Sequence, residues 1–93
     1  MKKQSDFDSE TIQSDSKLVP AVERATRILD HVARTRSYPS LSDLSRELNI
    51  AKSTVHILCR TLVELDLLIR RSDQTYQLGP HLMRWSNALN QQS

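Results

Sequence analysis

Ninety-three residues, 38% of them hydrophobic, leave room for one small domain with a modest core. A net charge of +2 with 26% charged residues does not by itself mark a nucleic-acid binder, a single cysteine excludes an intramolecular disulfide, and the three histidines have no zinc-ligand spacing with it. No apolar run reaches the roughly 18–20 residues of a membrane span, and the start lacks the apolar stretch of a secretory signal, so the chain reads as cytoplasmic, without membrane contact or cofactor.

Residues 1–17 hold Lys2, Lys3 and Lys17 against Asp6, Asp8, Glu10 and Asp15, which leaves the rest of the chain mildly basic. After Met1, Phe7 and Ile12 are the only bulky apolar residues before Leu18, too few to offset the entropy of ordering, so this segment reads as a disordered tail. Pro20 suits a first helical position, and Val22, Ala25, Ile28, Leu29 and Val32 follow at helical spacing, predicting a helix to about Arg36. Along it, Glu23 with Arg27 and Asp30 with Arg34 stand four apart in the favourable order.

Ser37–Tyr38–Pro39–Ser40 is turn chemistry. Leu41 then reads as a very short strand and Ser42 as the N-cap of a short helix with Leu44 and Leu48 on one face. After Asn49 a second helical pattern buries Val55, Leu58, Cys59 and Leu62, and two helices joined by a short turn make a helix-turn-helix. Leu67–Arg71, the turn Ser72–Asp73–Gln74 and Thr75–Leu78 predict a hairpin. Gly79–Pro80 closes it before another helix with Leu82, Trp85 and Leu89. With one glycine in the chain, left-handed turn positions fall to Asn49, Asp66 and Asp73. The predicted fold is mainly α with a small β-hairpin, a winged helix-turn-helix over residues 18–79, followed by the start of a further helix over residues 80–93.

The runs Val22–Leu29, Leu41–Ser45, Lys52–His56, Leu62–Leu65 and Tyr76–Pro80 resemble, in order and spacing, the amino-terminal DNA-binding domain of the IclR family of bacterial transcriptional regulators, over residues 19–89. Four positions depart from the pattern. Asn49, Asp66 and Gln74 stand where the family has turn glycines, and Ile57 stands where it commonly has arginine after the histidine. The resemblance implies double-stranded operator DNA of roughly palindromic sequence as partner, a homodimer, and a larger carboxy-terminal domain, absent from these 93 residues, that binds a small-molecule effector, with residues 80–93 as the start of the linker helix to it.

At about 100° per residue, Ser53, Ile57, Arg60 and Glu64 lie opposite the buried stripe of the second motif helix, with His56 at the edge. Base-reading side chains belong on that side near the amino-terminal end, which selects Ser53, His56, Ile57 and Arg60. Arg60 suits a bidentate pair with guanine and Ile57 contact with a thymine methyl; the alternatives are a phosphate contact for Arg60 and burial against the wing for Ile57. His56 reads as a DNA contact rather than a core histidine. Lys52, Ser53 and Thr54 open the helix where its dipole favours phosphate, against simple capping by Ser53 or Thr54. Ser42, at the start of the preceding helix, joins the set. Arg70 and Arg71 point to opposite faces of a regular strand; Arg70, which matches the family's arginine, is the expected backbone contact, and Thr75 and Gln77 add hydrogen bonds. Arg24 also matches the family pattern and lacks a helix-surface partner, which suggests phosphate against a plain surface charge. Cys59 reads as core.

Two other function classes remain to be weighed. A winged helix that binds protein lacks basic residues on the outer face of its third helix, where this chain keeps Lys52, His56 and Arg60. For an enzyme, no nucleophile, base and orienter recur at workable spacing and there is no glycine-rich phosphate loop.

Overall fold

The computed structural model describes residues 17–92. The tail expected at the start thus lies outside the described residues except for Lys17, which is exposed. Helix α1 spans Pro20–Arg34, with Pro20 at its first position, where an amide hydrogen would have no partner. Ile28 and Val32 are buried, and Ala25 and Leu29 pack beside them. Val22, read as part of the same stripe, is 64% exposed. It lies about 120° around the helix from Ile28, off the centre of the buried face. The helix stops at Arg34, two residues short of expectation, because Thr35 turns extended and both its amide and its hydroxyl donate to the His31 carbonyl, at 3.0 and 2.6 Å. Arg27 meets Glu23 at 3.8 Å and also donates to the Leu48 carbonyl at 2.7 Å, tying α1 to the end of the next helix. The companion pair of Asp30 and Arg34 does not close.

Helix α2 spans Leu41–Leu48, and its start corrects the sequence reading. Ser40, not Ser42, is the N-cap, and Leu41 is helical rather than a strand. The Ser40 hydroxyl accepts from the Asp43 amide at 3.1 Å while the Asp43 carboxylate accepts from the Ser40 amide at 2.9 Å, a reciprocal capping box. A start at Ser42 would place Ser45 third, with too short a side chain to reach back. The short strand position exists, but one residue earlier, where Ser40 pairs with Thr75 in an antiparallel bridge. Asn49 ends α2 in the left-handed conformation at φ 56°.

Helix α3 spans Lys52–Glu64 and buries Val55, Cys59 and Leu62, with Leu58 packed at the edge of the core. Burial pushes the Cys59 thiol up to about 11, as expected of a core cysteine. Beyond α3, Asp66 turns left-handed at φ 63°, and the Leu67 amide reaches back to the Leu62 carbonyl at 2.9 Å while the Asp66 amide reaches Val63 at 3.0 Å. These two bonds satisfy carbonyls at the helix end and bury Leu62 and Leu67 together.

Strands β1 (Leu68–Arg70) and β2 (Tyr76–Leu78) pair antiparallel, with Leu68 opposite Leu78 and Arg70 opposite Tyr76. The left-handed residue at the hairpin tip is Gln74, at φ 68°, rather than Asp73. The Asp73 carboxylate accepts from the Thr75 amide at 3.1 Å, a side-chain turn that leaves the positive φ to the following residue. Helix α4 spans His81–Gln92 and buries none of its residues fully; Leu82 packs against the core. Its start is held to the end of α3: the His81 amide donates to the Asp66 carbonyl at 3.0 Å, and its ring Nδ1 lies 3.0 Å from the Leu65 carbonyl. Gly79 makes this joint possible, because a Cβ there would collide with the Asp66 carbonyl.

One core collects Ile28 and Val32 from α1, Leu44 from α2, Ile50 from the turn, Val55, Cys59 and Leu62 from α3, and Leu67, Leu68 and Tyr76 from the hairpin. Fully burying a side chain of this size contributes about 1.5–3 kcal/mol. Every element except α4 supplies buried members, so α3 is braced on three sides with its polar flank free. This is a winged helix-turn-helix, as predicted.

Candidate nucleic-acid interface

The three-residue turn Asn49–Ile50–Ala51 delivers α3 with its inward stripe already docked by Val55 and Cys59. At about 100° per residue, Lys52, His56, Arg60 and Val63 then form a second stripe, turned toward the hairpin. Between that stripe, the start of α2 and the hairpin lies a groove of about 570 Å³, lined by Ser42, Lys52, His56, Arg60 and Arg70 among others. Five of the ten sequence-predicted site residues, from three separate elements, are thus brought to one concavity. Lys52, Arg60 and Arg70 are its cations, and all three are exposed.

Ser53 and Ile57 lie on the outermost line of α3, beside the groove rather than in it. Ile57 is 57% exposed, so burial against the hairpin is not its role. Ser53 is exposed and Thr54 half-buried on the far flank, and neither caps the helix. The N-cap is Ala51, with no side-chain hydrogen bond, so the first-turn amides of α3 stay open beside Lys52. Arg24 is exposed on α1 and does not line the groove.

The hairpin divides its two arginines. Arg70 stands opposite Tyr76 in the register and on the same face, toward α3. Burial pushes the Tyr76 phenol up, and the neighbouring Arg70 guanidinium works against that shift. Arg71 points the other way, to the Gln77 amide oxygen at 2.8 Å and the Tyr38 ring at 3.9 Å. Gln77, suggested as a further hydrogen-bonding contact, is therefore occupied by Arg71. Thr75 is occupied as well, since its hydroxyl donates to Asp73. Those hydrogen bonds from the Thr75 hydroxyl and amide hold the Asp73 carboxyl below the usual range.

Sequence reasoning did not single out Ser40, Asp73 and Gln74, which also line the groove. Their polar turn composition marked them as turns, and nothing in their local pattern signalled that two turns distant in sequence would meet across α3.

Comparisons with known proteins agree on one family. Residues 21–72, more than half the chain, match the IclR helix-turn-helix domain. Among solved structures, the repressor BlcR from Agrobacterium tumefaciens is 41% identical with a TM-score of 0.71, over 82% of this chain and 30% of that one. An IclR transcriptional regulator from Alicyclobacillus acidocaldarius is 28% identical with a TM-score of 0.72, over 75% of this chain and 29% of its own. An IclR-family transcriptional regulator from Brucella abortus, at 24% identity and a TM-score of 0.73 over 89% of this chain and 32% of its own, shares the fold. The chain thus spans about 30% of the length of the regulators it matches. No curated protein sequence matches it.

Proposed function

The chain belongs to the IclR family, as the helix-turn-helix DNA-binding domain of a transcriptional regulator, and from that premise we propose how it holds its operator. Helix α3 enters the major groove with Arg60 and Ile57 toward base edges: Arg60 pairs bidentately with guanine O6 and N7, and Ile57 rests on a thymine methyl. Lys52, Ser53 and the open amides at the start of α3 take one phosphate, with Thr54 beside them. His56 and Ser42 contact the strand that passes between α2 and the hairpin, and Arg70 takes the backbone beyond it. Arg24 meets a phosphate at the side of the site, and Thr75 stands at the wing as a weaker contact. The observation that carries this reading is the convergence of Lys52, His56 and Arg60 of α3 with Arg70 of the hairpin on one exposed groove.

Two copies form a homodimer on a roughly palindromic operator, using the α4 face that exposes Trp85 and Leu89. Residues 80–93 lead toward an effector-binding domain that takes a small molecule, and the protein works in the cytoplasm with the chromosome. No helix of the described residues is long and apolar enough to cross a membrane.

Selection from a random duplex pool, followed by footprinting on genomic fragments, tests the reading. Three cations on phosphates, Lys52, Arg70 and Arg24, predict that log K falls with log salt at a slope of roughly −3 per chain. Arg60→Ala is expected to cost about 1–3 kcal/mol and to relax base preference at one position per half-site. Uniform weakening across all sequences would reduce Arg60 to a phosphate contact. No duplex binding, or an affinity indifferent to salt, would instead favour a protein partner for this face.

A further inference from the structure

We propose that Arg71 is a positioning residue for DNA binding: it fastens the wing to the α1–α2 loop through Tyr38 and thereby sets where Arg70 stands against the duplex. The inference rests on the reading that the groove holds DNA, and it assigns a role to a cation that this reading leaves unused.

The geometry of Arg71 is that of a strut. Its guanidinium carbon lies 3.9 Å above the centroid of the Tyr38 ring, and its Nη1 donates to the Gln77 amide oxygen at 2.8 Å. Its Nε is buried without a hydrogen-bond partner and sits 3.8 Å from the Asp73 carboxylate. An arginine poised for phosphate keeps its fork of donors toward solvent. Here stacking on Tyr38, the bond to Gln77 and the nearby Asp73 turn the group inward. Both ends of the strut are anchored. Its backbone amide donates to the Thr75 carbonyl at 2.7 Å and its carbonyl accepts from Gln74 at 2.9 Å, so the residue closes the hairpin turn. Tyr38 immediately precedes Pro39, whose carbonyl accepts from the Tyr76 amide at 2.9 Å, and Ser40 pairs with Thr75. Arg71 therefore adds a side-chain clamp to a junction that the backbone makes only at its edge.

The consequence falls on Arg70, the preceding residue on the opposite face. A hairpin of two three-residue strands is marginal by itself and takes its angle from what it leans on. If the clamp opens, the wing swings and Arg70 leaves its station, although no charge has been lost from the protein. Lysine cannot replace the strut, because a hydrated ammonium does not stack as a plane on Tyr38 while donating to Gln77.

The test measures binding of the 93-residue chain to a fluorescent random-sequence duplex across a salt series, with amide hydrogen exchange of the wing. Arg71→Lys and Tyr38→Leu are each expected to weaken binding about 3- to 10-fold, with the salt slope reduced by up to about 1 as Arg70 withdraws and faster exchange at the Gln74 and Tyr76 amides. The double variant is expected to be no worse than either alone, because both remove one contact. Tyr38→Phe, which keeps the ring, should restore wild-type binding. Arg70→Ala should lower the salt slope by about 1, and less so in the Tyr38→Leu background. Wild-type affinity in Arg71→Lys overturns the proposal. So does a loss of about 1 in salt slope for Arg71→Gln with Tyr38→Leu silent, which would make Arg71 a phosphate contact. If Arg60→Ala and Arg70→Ala leave duplex binding unchanged, the DNA reading itself fails, an outcome distinct from either.

Discussion

Gln74 carries the positive φ of the wing tip at 68°, a conformation that costs an ordinary L-residue about 1–2 kcal/mol. Asn49 and Asp66 occupy the other two left-handed positions at less cost, because their short polar side chains suit that region. All three stand where the resemblance expects glycine, so the backbone path is kept while its usual residue is not. Relief of the strain in Gln74→Gly outweighs the added freedom of the unfolded chain. The substitution is expected to raise stability by about 0.5–1 kcal/mol in a denaturant titration. A loss of stability would mean that the Gln74 side chain makes a contact worth more than its strained backbone. The neighbouring Asp73 was the more natural choice from composition, and its hydrogen bonds to Thr75 explain why it was passed over.

For the helices, ends mattered more than faces. The buried stripes of α2 and α3 follow directly from apolar spacing, but the start of α2 depended on which serine could enter a reciprocal bond, and Ser40 with Asp43 satisfies that where Ser42 does not. Ser40→Ala removes a cap and is expected to cost about 1 kcal/mol. Hydrogen bonds from the Ser40 amide, from Arg46 and from the Ser40 hydroxyl hold the Asp43 carboxyl below its usual range. A depressed carboxyl pKa contributes stability that is complete above the unfolded value near 4 and is lost as pH falls through the folded one. Thermal melts from pH 6 to pH 2 should therefore show a shallower acid limb in Asp43→Ala than in the parent. An identical limb would show that the box is not linked to protonation. Because Ser40 also pairs with Thr75, weakening this cap is expected to loosen the wing as well.

At the scale of the whole molecule, α4 stands apart. It is anchored at His81 and Leu82, while Trp85, at 49% exposure, and Leu89, at 65%, face outward. Trp85 has an edge-to-face neighbour in His81, with ring centroids 4.7 Å apart. If this is the surface on which two copies meet, sedimentation should show a concentration-dependent dimer, and Trp85→Ala with Leu89→Ala should leave monomers that bind a single half-site with normal base preference. Monomers alone in the parent chain, with or without DNA, would remove the homodimer from the proposal. The joint at Gly79 and His81 fixes the direction in which α4 leaves the end of α3, and in the proposed dimer it would set the spacing of the two α3 helices.

Local pattern alone determined the helix-turn-helix, the hairpin, the core stripe of α3 and the outward flank holding Arg60 and Ile57. Those features follow from periodicity and turn chemistry, which act over a few residues. Tertiary structure decided which polar groups are free to act. Gln77 and Thr75 read as available until the fold engaged them with Arg71 and Asp73, and Ser40 and Gln74 acquired their places only when two distant turns met beside α3. A side chain's partners are set by what packing brings within about 3 Å of it, and that proximity is a property of the assembled chain.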